Sequence, residues 1–396
     1  MNAIRRQFFL SYAVIGSVMP LLTVFLRDQG FNFFQIGLAM SLVNVPMLCS
    51  PALITLLADK KVDSRRILAV AFSLSAIVLT GLYFSRILAV TLTLFVFHGL
   101  SFVAMLPLQD GFYFSHAEEK RAAGAEKIVP YQLVRVWGTV GFIVPSVILF
   151  FKLRQDPSPD VVLLCAVLFC VLSLANSFTL PQLKRLERSG QPSKLPTRQA
   201  LAQLFSKEAR WLCVGLALAF LATSSYYAFI ANYYSEVVGI PNSYIGLIIN
   251  IGVVIEIFYQ LWMPKLQRWI GLKGILVGGL AFMAIRMLLL YFFPSWQTVV
   301  FTQIGHGLEV MALFIVPPMF LDRLAGNEFR NSIQGVYTMA VGGVARVLAG
   351  VIGGLVTLQF GLRGLFLYTG FLGIGATLII LTLFSRIPPP ERNSAV

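Results

Sequence analysis

Charged residues are scarce in this chain of 396 residues, where they make up 12% of the sequence. A soluble domain carries about 25% charged residues, because its water-facing surface has to be covered by polar groups. Only 17 residues are acidic, whereas 57% are hydrophobic and the mean hydropathy is +0.80. The shortage of charge therefore excludes a soluble globular protein of this size and indicates a membrane protein.

Cysteine and histidine are also rare, with four and three residues respectively. The cysteines all fall inside apolar runs, and no pair has the spacing of a zinc site or of a disulfide framework. They are Cys49, Cys165, Cys170 and Cys213. The histidines are dispersed, and the sequence contains neither a GxSxG nor an HExxH motif. We therefore expect no enzymatic activity, no cofactor and no bound metal.

Long apolar runs are what the sequence has in abundance. About 20 residues of helix cross roughly 30 Å of hydrocarbon, and these runs lack the alternation of barrel strands. An all-α membrane protein with twelve transmembrane helices is predicted, with spans at 7–26, 34–57, 67–85, 88–114, 131–151, 161–180, 211–234, 244–263, 274–293, 297–321, 333–356 and 364–385. The first run shows no cleavage site, so we interpret it as a retained span.

The net charge of +14 follows membrane topology rather than nucleic-acid binding. If the N-terminus is cytoplasmic, 23 of the 31 Lys and Arg residues lie in or beside cytoplasmic segments, and three lie within the spans. The opposite side holds only Arg27, Arg86, Lys152, Arg154 and Arg363. The positive-inside rule then predicts that both termini are cytoplasmic. We expect contact with membrane lipid and no nucleic-acid partner.

The longest polar stretch separates the first six runs from the last six. We predict an N-terminal six-helix bundle at 1–181, a cytoplasmic linker at 182–208 and a C-terminal six-helix bundle at 209–396. Two repeated bundles of this kind are typical of secondary transporters, in which the solute site lies near the middle of the membrane.

Short basic turns join the second and third runs of each half. The first contains Asp59, Arg65 and Arg66, and the second lies at 264–273. We predict that the first turn is a gating loop. Two ordinary basic loops would give the same pattern.

Ionisable residues inside the predicted spans are few, and each is costly there unless it is paired or hydrated. They are Asp110, Glu256, Glu309, Arg135, Arg286 and Arg346. Two residues on adjacent antiparallel helices lie at the same depth in the membrane when the mean of their residue numbers falls in the turn that joins the helices. By this test Asp110 and Arg135 share a depth. The other four lie in one layer of the second half, which suggests internal pairing.

His306 and Glu309 are three residues apart and therefore lie on one face of a helix. An imidazole beside a carboxylate and an arginine can exchange a proton, because burial and positive charge act in opposite directions on the carboxylate. We predict proton coupling by Glu309, His306, Glu256, Arg286 and Asp110. A static ion-pair network that holds the helices together would need the same residues.

A polar and aromatic segment at 223–232 interrupts the predicted seventh span. Its Tyr226, Tyr227 and Asn232 can stack on and hydrogen-bond a sugar or a base. The same polar residues can instead hold neighbouring helices together. Phe314 and Arg346 are further candidates for contact with the substrate.

The motif Arg135-Val136-Trp137-Gly138-Thr139-Val140-Gly141-Phe142 resembles the start of span five in nucleoside:proton symporters and the phenylpropionate-permease group of the major facilitator superfamily. Segments at 50–51, 57–59, 252–256, 306–308 and 332–335 are similar to the same group. The set Arg135, Glu256, Arg286, His306 and Glu309 also resembles the charged residues of lactose permease. The resemblance covers most of the chain and implies the major facilitator superfamily fold, with twelve helices in two bundles.

The resemblance implies that Arg135, Thr139, Phe142 and Glu256 line a nucleoside-like site. The chain departs from the nucleoside group at three positions where that group has polar residues. Here these positions hold Ala228, Val253 and Val310. Glu309 makes the pattern more like that of a sugar permease, so the resemblance leaves nucleosides and sugars open.

These observations together predict a secondary active transporter that works by alternating access. We expect proton-coupled uptake of a small polar or aromatic solute such as a nucleoside or sugar. An exporter of drugs or lipid-like compounds with the same fold is the alternative. The protein is expected to be a monomer with many spans in a cell membrane, such as the bacterial inner membrane.

Overall fold

The computed structural model describes residues 1–49, 63–124, 128–182, 197–207 and 209–384. These residues form helices joined by short connections, and none of them forms a strand. Large apolar side chains such as Phe84, Phe258 and Leu261 are exposed on the helices. Exposed apolar surface on this scale is what a protein surrounded by lipid needs. The prediction of an all-α membrane fold is confirmed.

Residues up to 182 form the first group of helices. They are Asn2–Val18, Leu22–Asp28, Phe33–Asn44, Ser64–Phe84, Leu88–Ala122, Tyr131–Gln155 and Val161–Ser177, with a 3₁₀ turn at Val45–Leu48. The first predicted span is thus two helices, because Pro20 lies in the turn between them and has no N–H to donate.

The later helices contain more irregular turns. They are Thr197–Leu204, Arg210–Asn232, Asn242–Phe292, Trp296–Phe301, His306–Val310, Val316–Tyr337 and Val344–Thr382. A 3₁₀ turn lies at Thr302–Gly305, and π-helical turns lie at Tyr233–Val237, Met311–Ile315 and Thr338–Gly343. Single π turns inside α-helices occur often at functional sites.

Glycines in the left-handed region break the two longest helices. Asn242–Phe292 has 51 residues, which would measure about 76 Å if it were straight. Gly271 interrupts it at φ 71° and ψ 171°, and Gly361 interrupts Val344–Thr382 at φ 72° and ψ 174°. Each long helix therefore holds residues of two predicted spans, and the predicted basic turn at 264–273 contains the break at Gly271, with helix on both sides of it.

Eight helices in the described part of the chain are long and apolar enough to cross a membrane. The two that a glycine breaks are among them, and two shorter apolar helices lie at Phe33–Leu48 and Val161–Ser177. The total of twelve spans and the side on which the termini lie stay predictions.

The chain also turns back between the predicted spans ten and eleven. The Gln334 amide donates a hydrogen bond to the Pro318 carbonyl oxygen at 2.8 Å, although the two residues are 16 positions apart. A straight helix would separate them by about 24 Å. The chain therefore reverses its direction between Pro318 and Gln334, so the segment Val316–Tyr337 is not one straight helix.

The chain divides into two compact units. The first contains Met1–Pro192 with Ala228–Asn250, and the second contains Ser193–Tyr227 with Ile251–Val396. The predicted bundle limits at 181 and 208 stay a prediction, and most of the predicted linker lies outside the described residues.

Glycines allow close helix packing in the first unit. A Cβ at Gly16 would lie 2.1 Å from the Phe142 carbonyl oxygen, and one at Gly141 would lie 2.0 Å from that of Phe9. No side chain fits at these distances, so the helices Asn2–Val18 and Tyr131–Gln155 depend on both glycines. Small residues at a membrane helix interface permit this kind of contact between backbones.

Candidate functional site

A buried ion pair lies in the interior of the second unit. The Arg286 Nη1 atom is 3.2 Å from the Glu309 Oε2 atom, and both side chains are only 2% exposed. The two residues come from neighbouring helices, as their shared depth in the sequence predicted. Taking two charges out of water is costly unless further hydrogen bonds satisfy them.

Three neighbours supply those further contacts. Thr223 donates its hydroxyl hydrogen to the second carboxylate oxygen of Glu309. The Arg286 Nη2 atom donates to the Gln303 side-chain oxygen at 3.1 Å, and the guanidinium lies 4.7 Å from the centre of the Tyr226 ring. Both members of the ion pair are therefore held by groups from other turns of helix.

A second ionisable pair lies nearer the surface of the same unit. The His306 Nε2 atom is 3.7 Å from the Glu256 Oε2 atom, and the two side chains are 13% and 24% exposed. The His306 Nδ1 atom is 3.0 Å from the Tyr227 hydroxyl, and Gln260 donates to the Glu256 carboxylate at 2.7 Å. Proximity of His306 and Glu309 on one face had suggested that they interact, but His306 pairs with Glu256 and Glu309 with Arg286.

The two pairs are neighbours in space. A Cβ at Gly252 would lie 2.7 Å from the Gln303 side-chain oxygen and 3.0 Å from the His306 ring. Gly252 thus lies beside one residue of each network. Tyr226 and Tyr227 link the networks a second time, because their rings are 5.0 Å apart at their centres.

The helix that carries His306 and Glu309 is irregular on both sides of them. A 3₁₀ turn at Thr302–Gly305 precedes the segment, and a π-helical turn at Met311–Ile315 follows it. Pro317 and Pro318 come directly afterwards, and proline removes the N–H that a regular helix would need. Between these turns His306–Val310 is regular α-helix, so His306 and Glu309 do share a face, but each finds its partner on a different neighbouring helix.

Two predicted residues of the first unit, Asp110 and Arg135, each contact an aromatic side chain. Asp110 accepts a hydrogen bond from the Tyr131 hydroxyl at 2.8 Å. The Arg135 guanidinium lies 4.1 Å from the centre of the Tyr12 ring, and a Cβ at Gly138 would lie 2.7 Å from it. Asp110 and Arg135 lie close enough for their charges to interact, as their shared depth predicted, but each side chain also contacts an aromatic residue.

The other predicted solute contacts are dispersed. Thr139 and Phe142 are partly buried on the helix that carries Arg135. The Arg346 guanidinium lies 4.9 Å from the Phe220 ring centre and 5.6 Å from that of Phe314.

Asn232 is fully buried and donates its amide to the Thr23 carbonyl oxygen at 3.2 Å. Both residues belong to the first unit. A side-chain amide that bonds the backbone of another helix holds the two helices together. Of the two interpretations that the sequence left open for Asn232, the structure shows the helix contact.

The predicted gating loop is described only in part, since Asp59 lies outside the described residues. Arg65 binds Asp63 through its Nη2 atom at 2.5 Å and the Leu180 carbonyl oxygen through Nη1 at 3.3 Å. The hydrogen bond from Arg65 lowers the pKa of Asp63 below its usual value of 3.8. Arg66 is exposed on the first turn of the same helix.

Sequence reasoning missed several residues that complete these networks. They are Thr223, Gln303, Gln260, Tyr12 and Asp63. Gln303 and Gln260 could have been found, because each is an uncharged polar residue within four positions of a predicted ionisable residue. Tyr12 gives no such signal, because it lies in an apolar run far from Arg135 in the sequence.

A family model described as MFS_1 like family matches residues 3–368. The protein YegT of Escherichia coli (strain K12) is 22% identical over 389 residues, which cover 94% of this chain and 89% of that protein. A maltose permease of Geobacillus stearothermophilus is 24% identical over 387 residues, covering 96% and 93%. The crystal structure of the nucleoside transporter NupG superposes with a TM-score of 0.85 at 18% identity, covering 97% of this chain and 99% of that one.

Proposed function

The chain belongs to the MFS_1 like family and is a membrane transporter of the major facilitator type, and on that premise we propose that it takes up a small polar solute together with a proton. The observation that carries the proposal is the buried pair of Arg286 and Glu309 beside the partly exposed pair of His306 and Glu256. A solute that binds His306 and Glu256 can thereby influence the neighbouring pair of Arg286 and Glu309.

Protonation of Glu309 cannot occur without a change at Arg286. A neutral Glu309 would leave the arginine as a buried charge without its counterion, which costs about 3–5 kcal/mol in proteins. The proton can therefore be taken up only when Arg286 finds another acceptor or the helices move. Linking a proton to a rearrangement in this way is what a symporter requires.

The pair of His306 and Glu256 is the candidate for solute binding in this unit. Together with Tyr227 and Gln260 it offers a carboxylate, an imidazole, a hydroxyl and an amide within one group of neighbouring side chains. Such a set recognises hydroxyl groups, while the aromatic ring packs against the flat face of a base or a sugar ring. A solute that bonds Glu256 also competes with His306 for that carboxylate.

The class of solute that we propose is a nucleoside or a sugar. Two similar proteins are a nucleoside transporter and a maltose permease, and both of these solutes carry several hydroxyl groups. In the first unit we propose Arg135, Thr139 and Phe142 as further solute contacts, because they occupy the motif that resembles the nucleoside symporters.

Proton-coupled uptake can be tested in proteoliposomes that contain a pH-sensitive dye. Uridine or maltose is added outside without any imposed gradient, and we expect at least one of them to acidify the interior. The variant Glu256→Gln is expected to abolish the signal. Glu236→Gln is the matched control, because Glu236 is half-exposed in an ion pair with Arg27.

Two outcomes would contradict the proposal. Entry of radiolabelled solute without any pH change would exclude proton symport. Failure of both uridine and maltose to enter, with a folded protein, would exclude the proposed solute class.

A further inference from the structure

A cleft of about 560 Å³ opens in the second unit near the glycine that breaks its last long helix. Its walls include Tyr291, Phe360, Arg363, Tyr368 and Phe371. Four of these five residues are aromatic, and the fifth is a cation. The residues of the two networks described above do not line this cleft.

Close helix contacts explain where the cleft begins. A Cβ at Gly370 would lie 2.7 Å from the Leu288 side chain, and one at Gly373 would lie 2.9 Å from the Cβ of Ala284. The helices are therefore in contact at these positions, whereas Tyr291 and Arg363 lie further towards the break. Larger side chains, among them Tyr291, Arg363 and Tyr368, line the cleft on that side.

Arg363 is exposed and is held in place by Tyr291. Its Nη2 atom donates to the Tyr291 carbonyl oxygen at 2.8 Å, and its guanidinium lies 5.5 Å from the centre of the Tyr291 ring. A guanidinium has five N–H donors, so this single bond leaves several for a second acceptor. The sequence places Arg363 among the few cations on the side opposite the basic loops.

We propose that this cleft binds one phospholipid of the adjoining membrane leaflet, with the lipid phosphate on Arg363 and an acyl chain along the aromatic walls. The charge of the phosphate complements the arginine, which binds phosphate oxygens in pairs. Tyrosine beside an arginine is also typical of the region where lipid headgroups meet hydrocarbon.

The apolar part of the cleft has the size that an acyl chain needs. Phe360 and Phe371 are 69% and 62% exposed, so their rings are open to a hydrocarbon neighbour. From Arg363 to Phe371 the helix rises by about 12 Å. One leaflet of the hydrocarbon core is about 15 Å thick, so the wall follows most of a chain.

Native mass spectrometry tests the proposal on the full-length protein released from nanodiscs of phosphatidylglycerol. We expect the wild type to retain one phospholipid, and Arg363→Gln to retain it at least tenfold less. Arg86→Gln is the matched control, because Arg86 is also exposed on the side opposite the basic loops and also donates to a backbone carbonyl oxygen, that of Tyr83 at 2.9 Å. It should retain the lipid like the wild type.

A second variant separates the lipid from a free anion. Phe371→Ala keeps the arginine but removes part of the apolar wall, and we expect it to weaken retention of the lipid. The proposal is overturned if Arg363→Gln and Arg86→Gln retain the same amount of lipid. It is also overturned if inorganic phosphate displaces the lipid equally easily from the wild type and from Phe371→Ala. The apolar wall would then contribute nothing, and the site would be one for a free anion.

Discussion

The buried ion pair of the second unit predicts a strong coupling between two substitutions. We expect Glu309→Gln and Arg286→Gln each to destabilise the protein, and the double variant to be more stable than the sum of the two losses predicts. Glutamine preserves most of the side-chain size of either residue, so the experiment tests charge more than packing.

The size of the effect follows from the burial of the pair. Removing one partner of a buried pair leaves an uncompensated charge, which costs about 3–5 kcal/mol. Arg286 keeps its hydrogen bond to Gln303 and its contact with the Tyr226 ring, so we expect about 3 kcal/mol for Glu309→Gln. The double variant should regain about 2 kcal/mol, because no buried charge is then left.

Thermal unfolding of the four proteins in the same detergent measures this coupling as a double-mutant cycle. Each single variant should melt several degrees below the wild type. The double variant should lose less in melting temperature than the two single losses added together. Strictly additive losses would show that the two residues do not act on each other, and the reasoning from the ion pair would be refuted.

Two further predictions concern the first unit. Gly141→Ala should lower the melting temperature by several degrees, because its Cβ would lie 2.0 Å from the Phe9 carbonyl oxygen and overpacking costs about 1–3 kcal/mol. The control is Gly111→Ala, whose Cβ meets nothing within 4 Å, and it should be neutral or stabilising. Equal losses in the two variants would contradict the packing argument. The hydrogen bond from Arg65 holds the pKa of Asp63 in the folded protein below 3.8. The charged Asp63 therefore stabilises the fold above pH 3.8, and this stabilisation is lost as the pH falls through the lower pKa of the folded state. Arg65→Gln should return the pKa of Asp63 towards 3.8, which NMR of ¹³C-labelled aspartate can measure, and an unchanged value would refute the assigned cause.

The fold and one central contact could be predicted from the sequence. Runs of about 20 apolar residues specify membrane helices because the hydrocarbon core has a fixed thickness. The pairing of Arg286 with Glu309 followed from their equal distance to the turn between the helices. That turn was placed correctly enough for the calculation to succeed.

The remaining contacts depend on the direction in which each side chain points, which equal depth does not determine. Arg135 contacts Tyr12, because Gly138 leaves room for the guanidinium beside the ring. His306 lies on the same helical face as Glu309 but reaches Glu256 on a neighbouring helix. Neither the choice of an aromatic partner nor the choice between two neighbouring helices can be calculated from spacing alone.

The most direct test of the proposed coupling compares two kinds of transport in the variant Glu309→Gln. Counterflow exchanges labelled for unlabelled solute and needs no proton gradient, whereas accumulation against a concentration gradient does. With uridine or maltose, whichever the wild type transports, the variant is predicted to retain counterflow and to lose accumulation driven by an imposed proton gradient. Accumulation at the wild-type level in Glu309→Gln would contradict the assignment of Glu309 to proton coupling.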